Sequence, residues 1–243
     1  MKLNELVSFL DERLKVSEWR EKDNGANGLQ LVGKPEVKKV ALAVDACEYT
    51  IKQAIKEKAD MLITHHGIFY GKSNLFSPTI CNRFKLALGA NLSIYSAHLS
   101  LDAAEGIGNS DQMLKRIGAK KKGRFWDNIG AYGSIKTTRN KLKQKLSEIV
   151  GCEPTVFALG PEKIRSVAVA TGSGANAIYY LPTEGVDALI TGVCDDGIKE
   201  TAKEMQVNVF FGGHIATEEF GLKALSNILR KKGLKTFFII PHR

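Results

Sequence analysis

Residues 37–64, VKKVALAVDACEYTIKQAIKEKADMLIT, can be laid without a gap over residues 164–191, IRSVAVATGSGANAIYYLPTEGVDALIT, at a constant offset of 127. Few residues are identical, but the apolar runs coincide. In the first copy, the apolar residues 40–44 and 61–64 flank a segment of helix length. Such runs are typical of parallel strands that are covered on both faces. The chain therefore predicts a duplicated α/β unit.

The pairing resumes further along the chain, where SIYSAHLSLD (residues 93–102) lies over VFFGGHIATE (residues 209–218) at an offset of 116. The first copy has gained eleven residues in between, in or near the Gly/Ser/Pro-rich stretch GIFYGKSNLFSP, residues 67–78. This stretch predicts a long loop, which is often functional beside a site and is a candidate lid. Both copies then continue into amphipathic helices that end at a glycine.

These patterns predict an α/β protein of two similar domains, with mostly parallel sheets flanked by helices. We expect the first domain at residues 1–123 and the second at residues 124–243, with the C-terminal segment packing on the first. Residues 124–163, between the copies, are expected to give a strand and turn, a helix and another strand of the second domain. A chain of 243 residues with 44% hydrophobic content can fill two modest cores.

The charge balance is basic, with 35 Lys and Arg against 26 Asp and Glu and a net charge of +9. Such a balance favours encounter with phosphate-rich partners, although net charge informs on association rather than on fold. The basic residues cluster at residues 120–124, 141–145 and 230–232. A solvated surface explains such clusters equally well.

No apolar run approaches the roughly 20 residues of a membrane span, and the N-terminal residues follow a helical rather than a signal-peptide pattern. We therefore expect a cytoplasmic protein without membrane contact. The four cysteines lie far apart and form no CxxC pair, which predicts reduced and mostly buried thiols. A metal site in this chain must use nitrogen and oxygen ligands.

Histidines stand where predicted strands end, at His65, His66, His98 and His214. Ligands of parallel sheets bind at the carboxyl ends of the strands. We expect the chain to leave the strand at Thr64, so that both rings of the THHG motif face one crevice. A single histidine at a strand end is often only hydrogen-bonded, whereas the adjacent pair favours a metal site.

An acid follows four residues after a histidine in both copies, as His98 with Asp102 and His214 with Glu218. On a helical turn this spacing places both side chains on one face. Imidazole with carboxylate suits zinc, iron or manganese, and carboxylates can bridge two ions. The second copy has Gly192 at the position of His65. One full site per chain follows, in the inter-domain cleft, with ligands from both halves.

The motifs THHG, AHLSLDA and GGHIATEE, with the early NGLQLVG (residues 27–33), closely resemble the Nif-three-like dinuclear-metal family, whose members are often labelled GTP cyclohydrolase I type 2 homologues. The resemblance covers essentially the whole chain. It implies an α/β fold of two similar domains, ring-like hexamers, and two divalent ions (Zn, Fe or Mn) held by His65, His66, Asp102, His214 and Glu218. His98 also matches a motif position, and we interpret it as a near-site residue or proton carrier.

The resemblance implies a metal-dependent hydrolase acting on a nucleotide or related small molecule, with Glu218 or His98 moving the proton. The alternative is a nucleic-acid-binding or scaffolding protein with structural metals, which the net charge fits but no known nucleic-acid-binding motif supports. Two weaker candidates are a phosphate-cradling turn, TGSGAN (residues 171–176), and Cys194-Asp195-Asp196, which follows the second copy's equivalent of THHG.

Overall fold

A computed structural model describes residues 1–69 and 76–240 of the chain. Residues 70–75, which belong to the predicted loop at 67–78, lie outside the described residues. The chain divides into two compact units, Met1–Ala104 together with the segment that starts at Gly221, and Glu105–Phe220. Across the two described ranges, no helix is both long and apolar enough to cross a membrane.

Helices and strands alternate along most of the described chain. In chain order they are α1 (Leu3–Arg13), β1 (Gly28–Leu31), β2 (Lys39–Asp45), α2 (Glu48–Lys56), β3 (Met61–His66), α3 (Pro78–Gly89), β4 (Ser93–Ser96), α4 (Leu99–Asp102), α5 (Asn109–Ile117), β5 (Lys120–Phe125), β6 (Gly130–Thr138), α6 (Arg139–Val150), β7 (Thr155–Phe157), β8 (Lys163–Val169), β9 (Ala188–Thr191), α7 (Lys199–Glu204), β10 (Asn208–Phe211), α8 (His214–Lys231) and β11 (Lys235–Phe238). Short 3₁₀ helices lie at Val16–Trp19, Gly174–Tyr180 and Asp196–Ile198.

The first unit is built on a sheet of order β1-β4-β3-β2-β11. Strands β4, β3, β2 and β11 run parallel, and β1 joins β4 antiparallel at the edge. The C-terminal strand β11 pairs with β2 through Lys235 and Lys39, which places the end of the chain in the first unit. The other boundary lies at Ala104 rather than residue 123, because α5 packs on β5 and β6 of the second sheet.

The second unit is built on a sheet of order β5-β6-β8-β9-β10-β7. Only β8, β9 and β10 run parallel in it. The expectation of a mostly parallel sheet is therefore right for the first unit and wrong for the second. The reason is that β5 and β6 form a hairpin at one edge, and β7 pairs antiparallel with β10 at the other. The fold is a mixed α/β fold with two sheets flanked by helices.

The strand registers of the two sheets support the predicted duplication. Val40 pairs with Met61 in the first sheet, and Val167 pairs with Ala188 in the second, which preserves the offset of 127. The third strands follow a slightly different offset, because Met61 pairs with Ser93 whereas Ala188 pairs with Asn208. The sequence pairing of Ser93 with residue 209 is therefore one residue out. One residue, Ala97, separates β4 from His98, whereas Gly212 and Gly213 separate β10 from His214. This extra glycine accounts for the shift of one residue.

A carboxylate holds the start of the first parallel strand in both units. Asp60 Oδ2 accepts the backbone N–H groups of Lys38 and Lys39, each at 3.0 Å. At the offset of 127, Asp187 Oδ2 accepts those of Arg165 and Ser166, at 2.6 and 3.0 Å. An aspartate at the same position of each copy therefore accepts the same pair of backbone N–H groups. This correspondence is the most specific structural trace of the repeat.

Local features follow the sequence closely in most places, and the cysteines are an exception. The 3₁₀ helix of the second copy ends at Tyr180, before Pro182, as expected from the missing proline N–H. The cysteine thiols are free, as predicted, but none is buried: Cys152 and Cys194 are exposed, and Cys47 and Cys81 are half-buried. The prediction of mostly buried thiols is wrong because these residues occupy helix ends and loops rather than strands.

We expect Asp60→Asn and Asp187→Asn each to lower the free energy of unfolding by about 1 kcal/mol at pH 7, since each weakens two hydrogen bonds to a charged acceptor. Burial raises the pKa of Asp60, but hydrogen bonds from Lys34, Lys38 and Lys39 outweigh it, and the pKa lies below its ordinary value of 3.8. The stabilisation by ionised Asp60 is therefore present above pH 3.8 and is lost as the pH falls through the folded-state pKa.

Urea titrations at pH 7 and in acid test this, with the exposed Glu21→Gln as a control for loss of one negative charge. The gap between wild type and Asp60→Asn should narrow in acid. An unchanged gap across the pH range would contradict the assignment.

Candidate metal centre

Three histidines meet at the carboxyl ends of two neighbouring parallel strands. His65 and His66 are the last residues of β3, and His98 follows β4 after one residue and precedes α4. The ring centroid of His65 lies 4.9 Å from that of His66 and 4.9 Å from that of His98, and the centroids of His66 and His98 are 5.5 Å apart. One ring nitrogen from each lies within 4.8 Å of the others. This is a spacing at which imidazoles can share a metal ion.

The strand does not break at Thr64, contrary to expectation. β3 continues through His66, which pairs with Asp45 of β2, and the carbonyl of His66 accepts the N–H of Ala46. The two rings are nevertheless neighbours, tilted by 49°. His65 is fully buried and His66 is partly exposed. The end of β3 therefore places the His65 ring inside the unit and the His66 ring at its surface.

Each histidine has its Nδ1 held by an oxygen that can only accept a hydrogen bond. The contacts are His65 Nδ1 to the Ala97 carbonyl at 2.9 Å, His66 Nδ1 to Asp45 Oδ1 at 2.7 Å, and His98 Nδ1 to Asp23 Oδ1 at 2.7 Å. Nδ1 must therefore carry the proton, and Nε2 of the neutral ring carries the lone pair. Metal-ligating histidines are held in this way, and the acceptor fixes the orientation of the ring.

Asp23 is the most constrained of these acceptors, since its side chain is fully buried. Besides His98 it accepts the N–H groups of Gly25 and Leu99 and a side-chain N–H of Asn27. Burial raises the pKa of Asp23, but the hydrogen bond and charge of His98 and the bonds from Asn27 and Gly25 outweigh it, and the net pKa is lowered. The carboxylate is thus kept ionised beside His98.

The early NGLQ motif anchors both histidine loops. Asn27 Oδ1 accepts the backbone N–H of His98 at 2.8 Å and the hydroxyl of Ser100 at 2.7 Å. Gln30 accepts the N–H of Ile68 and donates to the carbonyl of Ala26. Its amide leaves no room at Gly67, where a Cβ would lie 2.2 Å from Nε2. A side chain at position 67 would therefore have to displace the end of Gln30, which accepts the N–H of Ile68.

Asp102 lies at the end of α4 and faces the same histidines. Its Oδ2 is 3.5 Å from Nε2 of His65, and both side chains are almost entirely buried. The structure thus brings His65, His66, His98 and Asp102 together within the first unit. Three imidazoles and a carboxylate are a donor set that fits zinc, iron or manganese.

The second unit contributes the other predicted pair, at the start of α8. Nε2 of His214 lies 3.1 Å from Oε2 of Glu218, as expected for residues one helical turn apart. Glu218 is buried, whereas the side chain of His214 is 38% exposed. Between them, the hydroxyl of Thr217 accepts the N–H of Gly172 and so ties the loop after β8 to this helix.

The TGSGAN turn lies directly against this pair. Gly172 has a φ of +61°, and a Cβ there would lie 1.9 Å from Oε1 of Glu218 and 3.3 Å from Nε2 of His214. The hydroxyl of Ser173 is 3.4 Å from Nδ1 of His214. A side chain at position 172 would therefore overlap the Glu218 carboxylate, and the positive φ also favours glycine there. The turn that sequence analysis treated as a weak candidate is part of the surroundings of His214 and Glu218.

The Cys194-Asp195-Asp196 stretch shows no sign of nucleophilic chemistry. Asp195 Oδ1 accepts the N–H of Gly197 and caps a 3₁₀ helix. Desolvation and the nearby Asp196 and Asp195 carboxylates raise the pKa of the Cys194 thiol. A thiol with a raised pKa is a poorer nucleophile at neutral pH. The stretch has a structural role in the second unit.

Sequence analysis missed the carboxylates that hold the histidines. Asp45 is the last residue of β2, the strand next to β3. Its position at the carboxyl end of a parallel strand could have identified it as a site residue from the sequence. Asp23 lies in the irregular stretch before β1, with no periodic pattern around it. Only its contact with His98, which is 75 residues distant in the chain, reveals it.

Comparison with known proteins confirms the family resemblance. Residues 1–242 match the model of the family described as Duf34/NIF3 (NGG1p interacting factor 3). Relatives named "GTP cyclohydrolase 1 type 2 homolog" include a protein of Archaeoglobus fulgidus, 36% identical over 242 residues, and one of Pyrococcus abyssi, 38% identical over 247, each covering 98% of both chains. The crystal structure of TTHA1606 from Thermus thermophilus is 30% identical, with a TM-score of 0.93, over 100% of this chain and 99% of that one.

Replacing Gly172 with Ala should displace the Glu218 carboxylate, because the new methyl group would overlap Oε1. Gly185→Ala is the matched control, since Gly185 has a similar φ of +77° but has open space around its Cβ position. Both substitutions should cost about 1 kcal/mol in backbone strain. Only Gly172→Ala should lower metal affinity, by about tenfold or more. Equal metal retention by the two variants after dialysis against a graded series of chelators would show that Gly172 does not position the Glu218 carboxylate for metal binding.

Replacing Asp45 with Asn should weaken metal binding by about 10- to 100-fold, because the His66 ring loses its anionic hydrogen-bond acceptor. Competition with a fluorescent chelator measures the affinity. The exposed Glu36→Gln, in the same unit, controls for the loss of one negative charge. Circular dichroism should show an unchanged fold in both variants. An affinity of Asp45→Asn that matches that of Glu36→Gln would show that Asp45 does not support the site.

Proposed function

The chain belongs to the Duf34/NIF3 family, and we propose that it binds two divalent metal ions through His65, His66, Asp102, His214 and Glu218. The observation that carries the proposal is that His65, His66 and His98 each have Nδ1 committed to an oxygen acceptor. This arrangement turns three Nε2 lone pairs toward one small volume. His98 has the same geometry as the two neighbouring histidines, and we assign it a role beside the ions as a donor or a proton carrier.

The donor count supports two ions with shared ligands. The first unit supplies three of the five ligands, His65, His66 and Asp102, with His98 beside them as a fourth possible donor, which is enough for one ion. The second unit offers only His214 and Glu218, too few for a second ion, and it has Gly192 where the first has His65. We therefore propose that both groups of ligands contribute to one dinuclear site.

The proposed activity is hydrolysis of a nucleotide or a related phosphate-bearing small molecule. Divalent ions supply Lewis acidity and a water of lowered pKa. The chain itself supplies Glu218 and His98 as the groups that accept and donate the proton. Asp23 holds the His98 ring through Nδ1, so that its Nε2 is the proton-exchanging atom. The name of the relatives makes GTP the first substrate to test.

The alternative function, nucleic-acid binding with structural metals, has weaker support from the basic clusters. In the cluster at residues 120–124, Lys121 and Arg124 contact the carboxylates of Glu105 and Asp111. In the cluster at 141–145, Lys143 and Lys145 contact Glu153 and Glu148. Four of the seven cations in these two clusters are thus paired with carboxylates, which lowers the charge that a nucleic-acid backbone would meet there. Assembly into a hexamer is a further part of the proposal, and it rests on the family resemblance alone.

Elemental analysis under excess metal should give about two ions per chain in the wild type. His65→Ala should bind fewer, since it lacks a buried donor. A screen of GTP, other nucleotides and simple phosphoesters should show turnover by the metal-loaded wild type and a loss of about 100-fold or more in the variant. At most one ion per chain would refute the dinuclear site. Equal rates for both proteins on every substrate would refute the hydrolase.

A further inference from the structure

Four cationic side chains line one cleft of about 330 Å³ in the second unit. Lys136 comes from β6, Lys141 from α6, and Lys163 and Arg165 from β8. The hydroxyls of Thr137 and Thr138 also line it, and no acidic residue does. A cleft of this size is within the range of small-molecule sites.

The backbone fixes this grouping. Lys163 and Arg165 flank the buried Ile164, so both point to the same outer face of β8. Strand β6 lies beside them, with Thr137 paired to Ile164 and Thr138 paired to Lys163. Helix α6 begins immediately after β6, which carries Lys141 to the same place. The four charges are therefore brought together by regular structure rather than by flexible loops.

The charges in the cleft are uncompensated within the described residues, where none of these four side chains forms an ion pair. Basic residues around them do: Arg139 contacts Glu162 at 2.7 Å, and Lys143 contacts Glu153 at 2.7 Å. Residues 112–147 contain eleven Lys and Arg residues and a single acid, Asp127. The carboxylates beside Lys163 and Arg165 are engaged elsewhere, Glu162 by Arg139 and Asp187 by the backbone N–H groups of Arg165 and Ser166. The cleft thus gathers positive charge, and its like charges repel one another until an anion binds.

The cleft is separate from the proposed metal ligands. Lys163 and Arg165 stand at the beginning of β8, whereas Gly172 and the Glu218 carboxylate lie beyond its end. Six residue steps of about 3.3 Å separate Lys163 from Val169, which is roughly 20 Å. A ligand in the cleft would therefore not reach the groups at His214.

We propose that this cleft binds the phosphate chain of a small polyphosphate, free or as part of a nucleoside triphosphate. Arg165 can bind phosphate oxygens bidentately, and the lysines can act as point charges. The Thr138 hydroxyl accepts the N–H of Lys141 and can donate its own proton to a phosphate oxygen. A nucleic-acid backbone fits less well, because Arg139 and Lys143, which flank Lys141 on α6, are already paired with Glu162 and Glu153. No aromatic residue lines the cleft to stack a base.

The test is isothermal titration calorimetry of the full chain with sodium tripolyphosphate, GTP and ATP at low ionic strength. Lys163→Gln/Arg165→Gln should weaken binding of tripolyphosphate by about tenfold or more. The matched control is Lys120→Gln/Lys122→Gln, which removes two exposed charges from β5 of the same sheet outside the cleft. It should change the affinity by less than about threefold. GTP and ATP should bind as tripolyphosphate does, since the phosphate chain is recognised.

A metal-site variant separates this proposal from the dinuclear site. His214→Ala should retain the tripolyphosphate signal even if it loses metal and activity, because the two places are distinct. Loss of the signal in His214→Ala, equal losses in the two double variants, or no binding of tripolyphosphate at millimolar concentration would each overturn the proposal. Binding of single-stranded oligodeoxythymidine that depends on Lys163 and Arg165 and is much tighter than that of tripolyphosphate would overturn it in favour of a nucleic-acid surface. Circular dichroism of the double variants should show the wild-type fold, since the substituted side chains are exposed.

Discussion

Three imidazole rings can share one small volume only if each ring has one nitrogen committed to the protein and the other turned toward the site. In this chain the commitment is made at Nδ1, by a backbone carbonyl for His65 and by the carboxylates of Asp45 and Asp23 for His66 and His98. These bonds constrain where the acceptors must lie. Asp45 must end the strand beside β3, and Asp23 must be buried under α4, where it also accepts the N–H of Leu99.

The two units show how one backbone plan is given two different chemical roles. Asp60 and Asp187 accept hydrogen bonds from corresponding pairs of backbone N–H groups. The first two parallel strands are therefore held in the same way in both sheets. At the first edge the strand β3 ends in two histidines. At the second, glycine occupies the position of His65, and the glycine turn after β8 closes against Glu218 instead. The two units thus share a backbone arrangement, and they differ in the side chains at the carboxyl ends of its parallel strands.

The opposite end of the second sheet carries a different electrostatic character. There the side chains of Lys136, Lys141, Lys163 and Arg165 line a cleft whose lining contains no acidic residue. The Glu218 carboxylate lies next to His214 at the carboxyl end of the parallel strands. A parallel strand thus separates a place suited to cations from one suited to anions. The distance along β8 allows each to be altered without direct effect on the other.

Most of the segments that form strands and helices could be predicted from the amino-acid sequence. The sequence also predicted that histidines and acids stand together at strand ends. Periodicity and turn residues depend on neighbours along the chain, which is why the end of the 3₁₀ helix before Pro182 and the spacing of His214 and Glu218 were predictable. The other features depend on tertiary contacts. Strand β3 runs through His66 because β2 pairs with it, and β11 joins the first sheet from the far end of the chain. Asp23, Asp45 and Gln30 support the histidine loops through hydrogen bonds that span 21 to 75 residues of sequence. No local pattern encodes such bonds, since they exist only once distant segments have packed together.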